Sequence, residues 1–100
     1  MAYAFTQDVP IGMEVYRQIR AELGDRPPPG LVVHVVIELE KGLRYLDVWE
    51  SQEAHRRFVE TTLHPIVARV LARAGVARAG EPTTQPITVR EVWAGAPLPA

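Results

Sequence analysis

A histidine and an aspartate lie on neighbouring predicted strands, where together they could perform acid–base chemistry. His34 lies within the apolar run of residues 31–39, and Asp47 lies within the next run, residues 43–49. Histidine exchanges a proton near neutral pH because its ordinary pKa is about 6.5. A carboxylate that orients such an imidazole completes a general-base pair. We therefore predict His34 and Asp47 as catalytic residues. The alternative is a buried histidine satisfied by one hydrogen bond and an aspartate in an interface ion pair.

Aromatic side chains accompany this pair. Tyr45 and Trp49 alternate with Asp47 along the second run, so all three side chains point to one face of a strand. Flat rings that carry one polar atom stack on planar ligands, although they fill cores more often. We predict that Trp49 and Tyr45 contact a substrate. Glu38, on the same face of the preceding strand, and His64, at a predicted helix break, are two further candidates for substrate binding.

Composition excludes several other classes of site. The 100-residue chain has no cysteine, so it has no thiolate chemistry and no cysteine-based metal site. Its three histidines, His34, His55 and His64, lack the spacing of a zinc or iron site, and His55 is expected to face solvent. The net charge of −1 attracts neither nucleic acid nor a membrane. We expect a cytoplasmic protein with no metal and no nucleic-acid or membrane partner.

The two apolar runs, joined by a tight turn at residues 40–42, predict a β-hairpin. Side chains alternate between its two faces, of which one is aliphatic and the other is mixed. The mixed face consists of Val32, His34, Val36, Glu38, Tyr45, Asp47 and Trp49. We expect the helices to pack on the aliphatic face and to leave the mixed face uncovered.

Two amphipathic helices flank the hairpin. The first has apolar residues at intervals of four, with Asp8 as its N-cap and Gly24 at its end. The second begins at Ser51 and is expected to kink or break near residues 62–64, because Pro65 cannot continue the hydrogen-bond ladder. A short strand at residues 1–6 and a last strand at residues 87–94 complete the order β-α-β-β-α-β.

This order predicts an α+β fold of the ferredoxin-like type, with a four-stranded antiparallel sheet and two helices on one face. Residues 1–95 are expected to form a single domain and residues 96–100 a loose tail. An uncovered mixed face would leave Trp49 in water, and a second copy of the sheet is the simplest cover. We predict a homodimer through the sheet faces that encloses side chains or a small aromatic molecule.

The element order, and the run Leu46-Asp47-Val48-Trp49-Glu50-Ser51 that leads into a helix with Phe58, resemble the dimeric α/β-barrel superfamily. More narrowly, they resemble its antibiotic-biosynthesis-monooxygenase-like branch. The resemblance implies a ferredoxin-like monomer, a dimer formed by sheet packing, and a pocket between each sheet and its helices. Some members oxidise aromatic polyketides or quinols with molecular oxygen and no cofactor. A tryptophan at the end of this strand commonly lines the family's pocket, and Trp49 matches it.

A related branch degrades haem with an asparagine on the first strand and a histidine on the second helix. This chain has no asparagine, and neither His55 nor His64 has a matching spacing, so we expect neither haem nor another cofactor. The predicted function is a homodimeric small-molecule-binding barrel that acts as a cofactor-independent monooxygenase, or a related proton-abstracting enzyme, on a planar aromatic or polyketide-like substrate. The alternative is a non-catalytic ligand-binding or structural dimer module, in which the interface occupies the mixed face.

Overall fold

Strands and helices follow one another in the order that the sequence predicts. A computed structural model describes residues 2–76 and 82–98. Its elements are β1 (Tyr3–Val9), α1 (Met13–Leu23), β2 (Leu31–Glu38), β3 (Leu43–Trp49), α2 (Gln52–Phe58), a π-helical turn (Val59–Leu63), α3 (His64–Ala74) and β4 (Thr84–Pro86). The strand order is β2-β3-β1-β4, and each neighbouring pair is antiparallel. The predicted ferredoxin-like α+β fold is confirmed.

From Val33 onward the β2–β3 hairpin sorts its side chains onto the two faces that the sequence predicts, but a register shift between Leu31 and Val33 places Leu31 opposite Trp49. His34 lies opposite Asp47, and Val36 lies opposite Tyr45. His34 is therefore one diagonal step from Trp49, which is the spacing expected from a two-residue turn. The register places the imidazole, the carboxylate, the phenol and the indole on a single face of the sheet.

The helices cover this mixed face of the hairpin, and the prediction that they cover the aliphatic face is wrong. Trp49 is 1% exposed, and its ring lies 5.3 Å from the ring of Phe58 in α2. Tyr16 of α1 likewise reaches His34, with 3.0 Å between the phenol oxygen and Nε2. The helices thus pack on the mixed face, while on the opposite face Val35 and Ile37 are exposed and Val48 is buried.

The physical reason is that the polar groups of the mixed face satisfy one another. A buried polar group without a hydrogen bond costs about 1–3 kcal/mol. Asp47, which is 7% exposed, contacts both His34 and Trp49 through separate oxygens, so the carboxylate is buried with partners. On the opposite face Val35 and Ile37 remain 41% and 39% exposed. The number of apolar residues on each face does not predict which face the helices cover, because that depends on which helix residues meet each face.

The helical layer is held together by the predicted stripe at intervals of four. Ile19 of α1 is buried against Ile66 and Val70 of α3. Partly buried apolar side chains surround this centre: Ile11, Val15, Leu23, Leu63 and Val67. Among the helices in the described ranges, none is long and apolar enough to cross a membrane.

The first helix begins later than predicted. β1 continues to Val9, and α1 follows Gly12, which provides no side-chain cap. Asp8 lies in β1, where its carboxylate accepts two hydrogen bonds from the Arg44 guanidinium at 2.7 and 3.0 Å. The charge partner on β3 therefore explains why Asp8 pairs across the sheet and does not cap the helix. Gly24 ends the helix with a φ of 82°, as predicted.

The second predicted helix is interrupted ahead of Pro65. Its start is as predicted, since Ser51 Oγ accepts a hydrogen bond from the Ala54 N–H at 3.1 Å. The π-helical turn then separates α2 from α3, which begins at His64. Proline lacks an N–H and crowds the preceding turn, so the ladder widens there. The expected irregularity is a π-helical turn that begins at Val59, and the chain stays helical through it without a break.

The last strand is shorter and earlier than predicted. β4 covers only Thr84–Pro86, and the N–H of Ile87 still donates to the carbonyl oxygen of Ala4 at 3.1 Å. The sequence pattern predicts a strand over residues 87–94, but residues 87–98 carry no strand. We also expect a loop over residues 76–85 from its Gly80 and Pro82, and this loop lies partly outside the described residues. The domain boundary near residue 95 stays a prediction.

The hairpin turn lies close to β1, and a substitution at Gly42 tests this approach. The Leu39 N–H donates to the Gly42 carbonyl oxygen at 3.1 Å, and Gly42 has a φ of 83°. A Cβ at this position would also collide with the carbonyl oxygen of Val9. A left-handed conformation costs a residue with a Cβ about 1–2 kcal/mol, and the collision adds to that cost. We expect Gly42→Ala to lower the free energy of unfolding by about 2–4 kcal/mol, measured by urea denaturation.

Gly75→Ala is the matched control for this substitution. Gly75 has a φ of 70°, but an added Cβ there would meet nothing within 4 Å. Only the backbone strain remains, so a loss of about 1–2 kcal/mol is expected. Equal losses for the two variants would contradict the close approach of the hairpin turn to β1.

Candidate functional site

The two predicted catalytic residues are in direct contact. His34 Nδ1 lies 2.6 Å from Asp47 Oδ1, and the His34 side chain is 25% exposed to solvent. Strands β2 and β3 place the two residues opposite each other. Side chains directly opposite in an antiparallel pair have Cβ atoms about 4.5–5.5 Å apart, so strand pairing alone brings imidazole and carboxylate within reach. Their catalytic role stays a prediction.

Trp49 positions the carboxylate. Its Nε1–H donates to Asp47 Oδ2 at 3.0 Å, so both oxygens of the carboxylate have partners. Trp49 can make this bond because it lies two residues further along β3, on the same face. At 1% exposure its ring has almost no open surface. In this structure Trp49 therefore orients Asp47, and a direct contact with a ligand would require the helical layer to move.

Tyr16 completes the hydrogen-bonded chain, and the sequence analysis did not identify it as a site residue. The Tyr16 hydroxyl lies 3.0 Å from His34 Nε2. An ionised carboxylate can only accept, so in neutral His34 the Nδ1 nitrogen carries the proton and donates it to Asp47. Nε2 is then the acceptor for the Tyr16 O–H. Tyr16 stands beside the apolar stripe of α1 in the sequence, but no local signal tells which strand residue it meets.

Tyr45 lies against the same imidazole. Its ring meets the His34 ring edge-on at 5.0 Å and lies 5.8 Å from the Tyr16 ring. Burial raises the pKa of Tyr45, and the charges of Tyr16 and Asp47 reinforce the shift. Burial is also the main reason that the pKa of Tyr16 is raised. Both phenols consequently keep their protons at neutral pH, so the rings that lie against His34 carry no charge.

The structure does not bring the other two predicted contacts to this pair. Glu38 is exposed at the end of β2, opposite Leu43. Four residues of strand separate it from His34, which is roughly 13 Å. His64 lies at the start of α3 and borders a different feature, an open cavity. Both assignments stay predictions, and neither residue belongs to the hydrogen-bonded chain.

The cavity beside His64 has a volume of about 600 Å³, within the usual range for small-molecule sites. It runs along α2 and the π-helical turn and is lined by Tyr3, Gln52, Glu53, His55, Arg56, Val59, Glu60 and His64. Its lining includes neither His34 nor Asp47. In the part of the chain that the structure describes, no group of three or more histidines and carboxylates could hold a metal ion.

His55 is half-buried, and the prediction that it faces solvent is wrong. Its ring lies 4.8 Å from Phe5, 5.5 Å from Tyr3 and 5.2 Å from Trp49. In the sequence His55 lies among charged residues, but in the fold the rings of Tyr3 and Phe5 from β1 pack against it. The contact with Trp49 connects the wall of the cavity to the indole that holds Asp47.

No protein-family model matches this sequence, and no curated protein matches it. Among solved structures, the crystal structure of a mutant of SnoaB, a cofactor-independent oxygenase from Streptomyces nogalater, is similar to this chain with a TM-score of 0.51. The two proteins are 17% identical, and the alignment covers 91% of this chain and 93% of SnoaB. At this identity the similarity establishes the fold.

Proposed function

We propose that this protein is a homodimeric enzyme that removes a proton from a planar aromatic or polyketide-like substrate, so that molecular oxygen can attack the resulting anion without a cofactor. The observation that supports this most is the Tyr16–His34–Asp47 chain. In it the Tyr16 hydroxyl oxygen lies 3.0 Å from His34 Nε2, and Asp47 Oδ1 lies 2.6 Å from His34 Nδ1. The fold shared with a cofactor-independent oxygenase adds support.

The Tyr16 hydroxyl represents the group that a phenolic or enolic substrate would present to the base. A substrate O–H that takes its place at Nε2 can transfer its proton to His34, and the Asp47 carboxylate then stabilises the imidazolium. Tyr16 itself keeps its proton because burial raises the pKa of its phenol. A more acidic polycyclic phenol or enol would give its proton up at the same nitrogen.

The oxygen step needs no redox group from the protein, because the substrate supplies the electrons and dioxygen is the oxidant. Proton loss leaves an electron-rich carbon, and that carbon forms a bond to dioxygen. When the O–O bond breaks, one oxygen atom remains as a carbonyl group and the other leaves as water, so a methylene group becomes a ketone. The Tyr16 hydroxyl, once it gives up its place at Nε2, is a donor for the negative charge that develops on the substrate.

The homodimer in this proposal uses the aliphatic sheet face and not the mixed one. Val35 and Ile37 are exposed there, and Leu46 lies opposite Val35 on the neighbouring strand. Contiguous apolar surface of this kind marks interaction sites. The candidate base then lies on the helix side of each sheet, where the superfamily resemblance implies a pocket.

A non-catalytic ligand-binding module is the second candidate, and a specific observation favours it. The cavity of about 600 Å³ includes His55 and His64 but not the His34–Asp47 pair, so a ligand held there would not reach the base. Binding of aromatic compounds without oxygen consumption, and without any effect of changes at His34, would indicate this function.

Oxygen uptake with a panel of anthrones and quinols tests the proposed activity. We expect His34→Ala to lower kcat/KM by about 10²–10⁴, the usual contribution of a positioned base. Asp47→Asn should lower it as well, because the imidazolium loses its negative partner. Asp8→Asn is the matched control: this strand carboxylate is exposed and paired with Arg44, so the rate should stay at the wild-type value. Equal rates for wild type and His34→Ala would remove His34 from the mechanism.

The raised pKa values of the buried phenols predict a loss of stability in alkali. A proton bound more tightly in the folded state stabilises the fold fully below the ordinary tyrosine pKa of about 10, and this contribution is lost as pH rises above that value. We expect the free energy of unfolding to fall above about pH 10 and to fall less steeply in Tyr45→Phe. Urea titrations at several pH values measure both slopes. An unchanged slope in the variant would contradict the burial of this hydroxyl.

A further inference from the structure

Tyr16 contacts the candidate base in the way that a phenolic ligand would. Its hydroxyl oxygen lies 3.0 Å from His34 Nε2. Its ring is nearly parallel to the imidazole, with 6.0 Å between the ring centroids and 21° between the planes. The Tyr45 ring borders both, at 5.0 Å from His34 and 5.8 Å from Tyr16. The place that the Tyr16 side chain takes therefore offers a hydroxylated ring one hydrogen-bond acceptor and two aromatic neighbours.

The acceptor nitrogen of His34 can serve only one such hydroxyl at a time. In a neutral imidazole the unprotonated nitrogen has a single lone pair in the ring plane. The large cavity lined by His55 and His64 does not include this nitrogen. A substrate that gives its proton to Nε2 must therefore take the place of the Tyr16 hydroxyl.

The Tyr16 side chain can leave this place while α1 stays where it is. Tyr16 and His34 are both only partly buried, so the contact between them borders solvent and not the core. The later part of α1 is held by the buried side chain of Ile19 and by Glu22, which pairs with two arginines of α3 at 2.7 and 2.6 Å. Rotation of one side chain, without movement of the helix, is then enough to free Nε2.

Arg20 is a partner for the displaced hydroxyl. It lies four residues after Tyr16 on α1, and residues at this spacing are neighbours on a helix surface. Burial raises the pKa of Tyr16 and the positive charge of Arg20 opposes this shift, so the guanidinium lies near the phenol. A guanidinium has five N–H groups, and one of those of Arg20 donates to the Gly24 carbonyl oxygen at 2.9 Å. The remaining groups can donate to the phenol oxygen when it turns away from His34.

We propose that the place of the Tyr16 side chain is a subsite for hydroxylated planar aromatic ligands, and that Tyr16 is a built-in competitor which such a ligand displaces from His34 Nε2. This proposal rests on the proposed function, because it names the position in which the substrate gives up its proton. It also narrows the substrate class. A phenol or enol that is a stronger donor than tyrosine outcompetes Tyr16, whereas an aryl ether leaves Nε2 without a partner. Tyr16 is thereby a specificity-determining residue.

Equilibrium binding of 2-naphthol and of its ether, 2-methoxynaphthalene, tests the subsite without any need for turnover. We expect 2-naphthol to bind at least about tenfold more tightly than the ether, because the ether leaves a partly buried acceptor unpaired. His34→Ala should abolish this preference, since it removes the acceptor.

Tyr16→Phe measures the competition. This variant keeps the ring but loses the hydrogen bond that the ligand must otherwise break, so the Kd for 2-naphthol should fall about two- to tenfold, the usual net effect of one hydrogen bond. Tyr3→Phe is the matched control. It removes a hydroxyl group from a tyrosine that lines the large cavity and packs on Phe5 and His55, so its Kd should equal that of the wild type.

Nuclear magnetic resonance of tyrosine labelled with carbon-13 at Cζ follows the displacement directly. The chain has three tyrosines, and the three Tyr→Phe variants assign their signals. The chemical shift of Cζ reports the hydrogen bonding of the attached hydroxyl. Addition of 2-naphthol to the wild-type protein should move the Tyr16 signal and leave the Tyr3 signal in place.

The outcomes separate the subsite from the proposed reaction. An equal Kd for 2-naphthol in wild type and Tyr16→Phe, or an unmoved Tyr16 signal at saturation, would show that Tyr16 is a fixed part of the fold and would overturn the proposal. Binding that Tyr3→Phe weakens and His34→Ala does not would locate 2-naphthol in the large cavity, and this result or no binding at all would also overturn it. The expected binding in a protein that consumes no oxygen with anthrones or quinols would leave the subsite standing and overturn the oxygenase.

Discussion

The buried carboxylate of Asp47 is the constraint on which the arrangement of the sheet and helices depends. A carboxylate removed from water is costly unless both of its oxygens accept hydrogen bonds. Here one oxygen has the imidazole of His34 as its partner and the other accepts the indole N–H of Trp49. Both donors lie on the same sheet face as Asp47, so that face can be buried without an unpaired charge. The helices can then cover it and leave the aliphatic side for another surface.

Local sequence patterns predict much of this fold because they depend on neighbouring residues alone. Strand alternation assigns each hairpin residue to a face, the spacing of four predicts the stripe that includes Ile19, and Pro65 predicts the widened helix. Which face is covered depends instead on residues far apart in the chain. Phe58 and Tyr16 decide it, because they place an aromatic ring and a hydroxyl group over the mixed face. The apolar content of the two faces alone predicts that the helices cover the aliphatic face.

In the candidate site, too, local patterns predict some contacts, whereas others depend on residues far apart in the chain. Cross-strand pairing predicts that His34 and Asp47 meet, since the register follows from the turn. Tyr16 escapes prediction because its contact depends on how α1 is rotated over the sheet, which no local spacing encodes. The last strand shows a second reason why sequence patterns are insufficient. β-propensity indicates that residues 87–94 can form a strand, but a strand also requires a neighbour. β1 starts at Tyr3 and therefore does not extend far enough to pair with most of this segment.

The π-helical turn at Val59–Leu63 has a consequence for how this helix tolerates changes in chain length. One residue added to a regular helix rotates everything after it by about 100°, which would turn Ile66 and Val70 away from α1 relative to Phe58. The widened turn takes up one residue without that rotation. Removing a single residue there would restore regular winding while both packing faces keep their directions. At this point in the helix a deletion, usually a drastic change, becomes a mild one.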